Sequence, residues 1–225
     1  MLYNFGNFTG TNSVSSLIFD AAGNLYGTSA IGGGTGCGGS GGGMVFELSP
    51  SGNGQWSGKT VHAFNGKNGA GPYAVVFDTV GNLYGTTSSG GNVDCNPPSG
   101  CGVVYELCPG MNRTWKETVL RSFYVKPKYP EGKLAFDTKG SLYGTTVGGV
   151  RAVGGGCGRV FKLTPTENGK WSYNVVHHLR GRPNDGSYPY SGVVFDAAGH
   201  LYGTTDQGGS GIWNVGCGTV YQITS

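Results

Sequence analysis

The segment Leu-Tyr-Gly-Thr occurs four times in this chain, at Leu25–Thr28, Leu83–Thr86, Leu142–Thr145 and Leu201–Thr204, with its tyrosines 58, 59 and 59 residues apart. A fixed period of this kind means that each repeat is one supersecondary unit that buries its apolar face against its neighbours. Each copy is preceded by an apolar run ending in Phe-Asp, at Phe19-Asp20, Phe77-Asp78, Phe136-Asp137 and Phe195-Asp196, with a glycine three residues after the aspartate. This reads as strand, tight turn, strand: Asp hydrogen-bonds the turn backbone and Gly supplies a positive φ. A third strand follows a glycine-rich loop, at Val45–Leu48, Val104–Leu107, Val160–Leu163 and Val220–Ile223. A fourth starts near Trp56, Trp115 or Trp171 and ends at Phe64, Phe123 or Leu179, 18 residues after the third-strand aromatic each time.

Four short antiparallel strands per unit with no helical periodicity predict an all-β fold, a four-bladed β-propeller formed by residues 1–225 as one domain. The units are approximately 6–64, 65–123, 124–179 and 180–225 together with 1–5. The chain stops just after the third strand of unit four, and Leu2-Tyr3-Asn4-Phe5 matches the end of a fourth strand. The expectation is therefore that the N-terminal strand completes the last blade and leaves no open edge. Four units of a longer array, or half of an eight-bladed ring made by two chains, are the alternatives.

Composition limits the function classes. There are 46 glycines in 225 residues, but also 13 tyrosines, 10 phenylalanines and 4 tryptophans, which a disordered chain lacks. Only 12% of residues are charged, so the surface is built from Gly, Ser, Thr, Asn and Tyr and suits a neutral polar partner. The net charge of +3 comes from scattered Lys and Arg, with no nucleic-acid-binding motif beside the densest stretch, Arg121 to Lys133. No apolar run approaches the ~20 residues of a membrane-spanning helix, and no signal peptide opens the chain. Cys95 and Cys101 bracket a turn-forming Asn-Pro-Pro-Ser-Gly spacer, which predicts a disulfide and an oxidising compartment, extracellular or periplasmic, with any leader removed. Cys37, Cys108, Cys157 and Cys217 have no assignable partners. No metal and no cofactor are expected, because no zinc-type Cys/His spacing and no nucleotide-binding motif is present.

The unit Phe-Asp-x-x-Gly-Asn-Leu-Tyr-Gly-Thr-Thr followed by Gly-Cys-Gly-x-Val-Phe-x-Leu resembles the GloVer (Gloeo_Verruco) tandem repeat of bacterial proteins, and the resemblance covers essentially the whole chain. It implies an exported protein, since members often carry a C-terminal surface-sorting segment, and it brings no catalytic motif. Unit one departs from the pattern, with Gly42 in place of the cysteine and Cys37 five residues earlier.

In a propeller the second-to-third-strand loops and the interblade crossings share one face. These are the longer and more varied segments here, so any site is expected there. Hydroxyl residues at the second-strand ends, including Thr87, Thr146 and Thr205, either ring a channel mouth that binds a ligand or satisfy strand-end backbone. Unit four breaks the repeat most, with Arg180, Arg182, Asp185, Tyr188 and Tyr190 in its crossing and Asp206 and Trp213 in its glycine-rich loop. Aromatic faces beside Asp and Arg suit a sugar, so Trp213, Tyr188, Tyr190, Arg180 and Arg182 are the candidate ligand-binding residues. For an enzyme, Asp185, Asp206 and Glu131 are the candidate acid/base groups, with His177 and His178 as proton shuttles. The leading expectation is a monomeric, exported propeller that binds a glycan or other polar small molecule. A polysaccharide hydrolase or lyase and a structural or protein-interaction repeat are the alternatives.

Overall fold

The computed structural model describes residues 2–5, 15–34, 41–111, 114–124, 129–148, 157–210 and 216–224. Its described residues form two compact units, Met1–Ser122 and Phe123–Ser225, and the division falls at the end of the second repeat. The first unit holds two antiparallel sheets, and the second holds two sheets and a two-stranded ribbon.

In the first unit, the first sheet runs β1 (Ile18–Phe19), β2 (Leu25–Ser29), β3 (Met44–Gly52), β4 (Gln55–Ala63), and the second runs β5 (Ala70–Phe77), β6 (Leu83–Ser89), β7 (Val103–Pro109), β8 (Trp115–Ser122), each in sequential order. In the second unit, the third sheet has the same order: β9 (Ala135–Phe136), β10 (Leu142–Thr146), β11 (Arg159–Pro165), β12 (Trp171–His178). The fourth repeat adds a two-stranded ribbon, β13 (Gly186–Ser187) with β16 (Gln207–Gly208), beside a sheet of β14 (Val193–Phe195), β15 (Leu201–Thr205) and β17 (Thr219–Ile223). The only helical element among the described residues is a 3₁₀ turn at Val93–Cys95, and none is long and apolar enough to cross a membrane.

The turn between first and second strands is built alike four times. One oxygen of Asp20 accepts from the backbone N–H groups of Ala22 at 2.9 Å and Asn24 at 2.8 Å, and Asp78, Asp137 and Asp196 repeat both bonds within 0.1 Å. Gly23, Gly81, Gly140 and Gly199 close these turns with φ between 79° and 94°, a region costly for any residue with a Cβ. The four aspartates are therefore turn builders. Burial alone would raise the Asp20 and Asp137 carboxyls, but hydrogen bonds from Asn24 in one and from the Ser141 and Lys139 backbone in the other outweigh it and hold both below the ordinary carboxylate value. Asp196, bonded by His200, lies at about 2.

The glycine of each Leu-Tyr-Gly-Thr strand serves packing. A Cβ on Gly27 would meet Phe46 Cζ at 2.7 Å, on Gly85 the Tyr105 hydroxyl at 2.3 Å, on Gly144 Phe161 Cζ at 2.6 Å and on Gly203 the Tyr221 hydroxyl at 2.2 Å. The missing side chain is the slot into which the third-strand aromatic ring drops from the neighbouring strand. Tyr105 and Phe161 are fully buried as a result. Opposite this ring, the third and fourth strands slip register at the same place in three sheets, between Val45 and Phe46, Val104 and Tyr105, and Val160 and Phe161. The slip is a bulge that turns the end of the fourth strand.

That turn brings the last aromatic of the fourth strand onto the next sheet. Phe64 packs edge-on against Tyr105 at 5.0 Å, and Phe123 against Phe161 at 5.6 Å. Second-strand tyrosines bind sheets in the other direction: Phe77 stands against Tyr26 at 5.1 Å and Phe195 against Tyr143 at 5.0 Å. Strands β2 and β6 are buried on both faces at their starts, while the outer strands β8 and β12 alternate with solvent, as expected for sheets stacked face to face.

The N-terminal expectation needs a correction. Residues 2–5 form no strand, and among the described residues the fourth sheet has three strands where four were expected. The side chains still behave as the match implied, because Phe5 packs edge-on against Phe46 at 4.8 Å, in the manner of Phe64 on Tyr105. Tyr3 and Phe5 cover Leu25, Met44, Phe46 and Leu48, so apolar burial on the first sheet holds this segment without a ladder.

Gly85→Ala is expected to lower stability by about 1–3 kcal/mol through overpacking against Tyr105, measured by denaturant unfolding. Tyr105→Phe is expected to leave stability unchanged or raise it by up to ~1 kcal/mol. The Tyr105 hydroxyl is buried without a partner among the described residues, and Phe46 and Phe161 hold the same position in sister sheets. The carboxylates of Asp20, Asp137 and Asp196 are depressed in the folded state, so the stability they contribute is present above the ordinary value of ~3.9 and is lost as pH falls through their folded values. The thermal midpoint is expected to decline from about pH 4 downwards, and Asp20→Asn to make that decline shallower.

Candidate functional site

Three loop segments of the first unit converge at one end of its sheets: the loop after β2, the crossing from β4 to β5, and the loop after β6. They enclose a cavity of about 690 Å³, lined by Ala30, Gly41 and Gly42 on one side, Asn65 to Lys67, Ala70 and Gly71 on the second, and Ser89, Val93, Pro98 and Ser99 on the third. Among the described residues, no carboxylate or histidine lines it. Its exposed lining is more apolar than polar, with Asn65, Lys67, Ser89 and Ser99 as the polar side chains among the residues that form it.

Backbone bonds tie the three segments together. Gly71 N–H donates to Gly42 C=O at 2.8 Å, Gly91 N–H to Gly66 C=O at 2.9 Å and Gly90 N–H to Ser99 C=O at 2.6 Å. Glycine is required where they cross, because a Cβ on Gly100 would lie 2.3 Å from the Gly90 carbonyl oxygen. The expected disulfide is present: Cys95 and Cys101 are joined across a Cα separation of 5.8 Å and brace the third wall. A disulfide of this kind persists in an oxidising compartment, which agrees with an extracellular or periplasmic protein.

The second wall is anchored from behind. The Asn68 side-chain amide donates to Glu117 Oε2 at 2.6 Å, and His62 Nε2 stands 3.1 Å from the same oxygen and 3.0 Å from that amide nitrogen. Asn68 in turn accepts from Asn65 N–H, and Asn65 accepts from Lys67 N–H. Glu117 on β8 therefore holds a turn that follows β4. Nothing in the sequence reading singled out this cluster or the cavity. The available signal was that Glu117 stands where sister repeats carry Gly58 and Tyr173, two residues after the repeated tryptophan.

The unit-four candidates lie in the second unit. Tyr188 and Tyr190 are stacked, with ring centroids 6.3 Å apart and planes inclined by 15°, and Tyr190 is half exposed. Tyr188 takes a φ of 58°, and its carbonyl accepts from Asp206 N–H at 3.1 Å. Burial, then the charges of Glu131 and Asp206, raise the Tyr190 hydroxyl above its ordinary value, which places both carboxylates in its neighbourhood. Thr145 donates to the Ser191 carbonyl at 3.0 Å, and the Ser191 hydroxyl lies 2.8 Å from that of Thr204.

Asp185 is engaged in building its own turn. Oδ1 accepts from Gly186 N–H at 2.7 Å, and Oδ2 accepts from Arg180 N–H at 2.9 Å and stands 3.3 Å from His177 Nε2. His178, the next residue along the strand, points to the other face, opposite Arg159 in the ladder. Its pKa is lowered, by burial first and then by the nearby positive charges. Arg180 and Arg182 are exposed. Trp213 lies outside the described residues. Two of the strand-end hydroxyls satisfy backbone: Thr87 donates to Ser89 C=O and accepts from Val103 N–H, and Thr205 does the same with Gln207 and Thr219. Thr146 is fully buried.

Known proteins are similar to this chain in sequence pattern and in fold. A family model described as the Gloeobacter/Verrucomicrobia repeat matches residues 1–150. No curated protein matches the sequence. Luciferin-regenerating enzyme, a propeller-like protein, aligns with a TM-score of 0.55 and 18% identity over 93% of this chain and 60% of its own. PorZ, a surface component of the type-IX secretion system of Porphyromonas gingivalis, aligns with a TM-score of 0.56 and 16% identity over 98% of this chain and 28% of its own. The chain thus spans well under two thirds of either structure, and at these identities the likeness is one of fold.

Glu117→Ala is expected to leave Asn68 and His62 without their acceptor and to destabilise the first unit by about 1.5–3 kcal/mol, the range for a hydrogen bond to a charged group. Hydrogen exchange should accelerate first at residues 65–69, and unchanged exchange there would refute the anchoring role.

Proposed function

The chain belongs to the Gloeobacter/Verrucomicrobia repeat family, and from that premise we propose that it is an exported β-propeller domain that binds a neutral polar ligand of the carbohydrate class at its loop-rich end. Its four sheets are four successive blades, each built on one repeat. The observation that carries the binding role is the cavity of about 690 Å³, a volume suited to a small ligand, with a mostly apolar lining that carries Asn65, Lys67, Ser89 and Ser99 and is braced by a disulfide. An apolar lining with a few convergent polar side chains suits a sugar, whose ring has apolar faces and a hydroxyl edge. Binding without turnover is favoured by the lining, which offers no acid/base pair among the described residues. The stacked Tyr188 and Tyr190 favour the same ligand class in the second unit, since sugar rings stack on exposed aromatic faces.

A glycan array followed by calorimetry tests this reading. Saturable binding with no product release is expected, weakened at least tenfold by Ser99→Trp, which fills the cavity. Binding that survives Ser99→Trp but is lost in Tyr190→Ala would move the site to the second unit. No binding to any glycan would remove the carbohydrate reading.

A further inference from the structure

Three repeats pass through one backbone position that favours glycine. Gly71, Tyr129 and Tyr188 each precede a proline, Pro72, Pro130 and Pro189, and have φ of 64°, 61° and 58°. Each carbonyl is held from the end of the second strand of its own repeat: Gly71 by the Ser88 hydroxyl at 3.3 Å, Tyr129 by Val147 N–H at 3.0 Å and Tyr188 by Asp206 N–H at 3.1 Å. The second repeat meets this left-handed backbone with glycine, which adopts it freely, whereas a bulky residue adopts it at a cost. A strained tyrosine where a sister repeat has glycine points to a role for its side chain.

Around Tyr188 the chain builds a fixed aromatic platform. Tyr188 N–H donates to Cys157 C=O at 2.9 Å, its own C=O also accepts from Tyr190 N–H at 3.0 Å, and Pro189 between them is buried. This tight turn stacks the two rings and leaves Tyr190 51% exposed. Two carboxylates stand on backbone that touches the turn. Asp206 is bonded to Tyr188 through its N–H and lies where the other repeats carry Ala30, Ser88 and Val147. Glu131 precedes Gly132, which approaches Ser191 so closely that a Cβ on it would lie 2.5 Å from the Ser191 carbonyl oxygen. The charges of both carboxylates act on the Tyr190 hydroxyl.

We propose that Tyr188, Tyr190, Asp206 and Glu131 form a second binding site that takes an amino sugar, with its ammonium group held by the carboxylates and its ring lying on the tyrosines. The apolar face of a sugar stacks on an exposed aromatic ring, and a cation beside that ring is drawn to its π face. A carboxylate at the same place selects the amine over a hydroxyl or an acetamide, because only the amine forms a charge-assisted bond with it. The proposal rests on the carbohydrate reading for the sugar ring and adds the charge. It stands apart from the cavity of the first unit, since all four residues belong to the second.

The test is an NMR titration of the full chain with glucosamine and with N-acetylglucosamine, at low salt and at a pH where the amine is protonated. Glucosamine should shift the resonances of Tyr190 and Asp206 and bind about tenfold more tightly than its acetylated form, the ratio expected for one hydrogen bond to a charged group. Asp206→Asn combined with Glu131→Gln should abolish this preference and leave N-acetylglucosamine binding unchanged, and Ser99→Trp should alter neither ligand. Tyr188→Gly should weaken both ligands while keeping or raising the thermal midpoint, because the left-handed backbone then carries no side chain. Equal binding of the two sugars, a preference that survives the double carboxylate variant, or glucosamine binding lost in Ser99→Trp would overturn the amine site and leave the carbohydrate reading standing. No shift at Tyr190 with either sugar would overturn both for the second unit. A lowered midpoint with unchanged binding in Tyr188→Gly would assign that tyrosine to packing and overturn the site as drawn.

Discussion

The contact between the glycine of each Leu-Tyr-Gly-Thr strand and the aromatic ring of the following strand is the constraint on which the other features depend. The ring occupies the volume a Cβ would need, so the aromatic lies flat across its neighbour and is buried. The fourth-strand aromatic can then reach across to it from the next sheet, after the bulge has turned that strand. Removing the slot would lift the ring and part the sheets, because interiors are close-packed and transmit such displacements. The aspartate turn contributes at the opposite end by fixing the angle at which first and second strands meet.

A scaffold repeated this closely acquires function where copies differ. Glu117 replaces a glycine or tyrosine of its sisters and gains a hold on Asn68 across two sheets, which makes the wall of a cavity out of an ordinary crossing. The Cys95–Cys101 bridge does the same for the third wall. In the second unit the ribbon of β13 and β16, the counterpart of the Ala70–Ser89 pairing in the second repeat, leads into Tyr188 and Tyr190 as a stacked pair. Both changes add local hydrogen bonds or packing and leave the repeated core contacts intact.

The strands of the repeats, their order, the aspartate turns and the disulfide were legible in the sequence, because each depends on residues within one repeat or on a period that can be counted. The site was less legible. Asp185 read as an acid/base group because carboxylates in irregular loops do; in the structure it accepts from the Arg180 and Gly186 backbone, a few residues away, and stands 3.3 Å from His177. Thr87 and Thr205 proved to serve backbone, which the strand-end position allowed from the start. Asn68 and Glu117 are 49 residues apart and unremarkable individually.

What the sequence by itself determined is the unit: four strands, a turn that needs Asp and Gly, a glycine slot for an aromatic ring, and a surface poor in charge. These follow from short-range stereochemistry and from the period. The tertiary structure alone decided which loops come together into a cavity and that Glu117 reaches Asn68 across two sheets. Those outcomes depend on contacts between different repeats, where the same local pattern meets different neighbours.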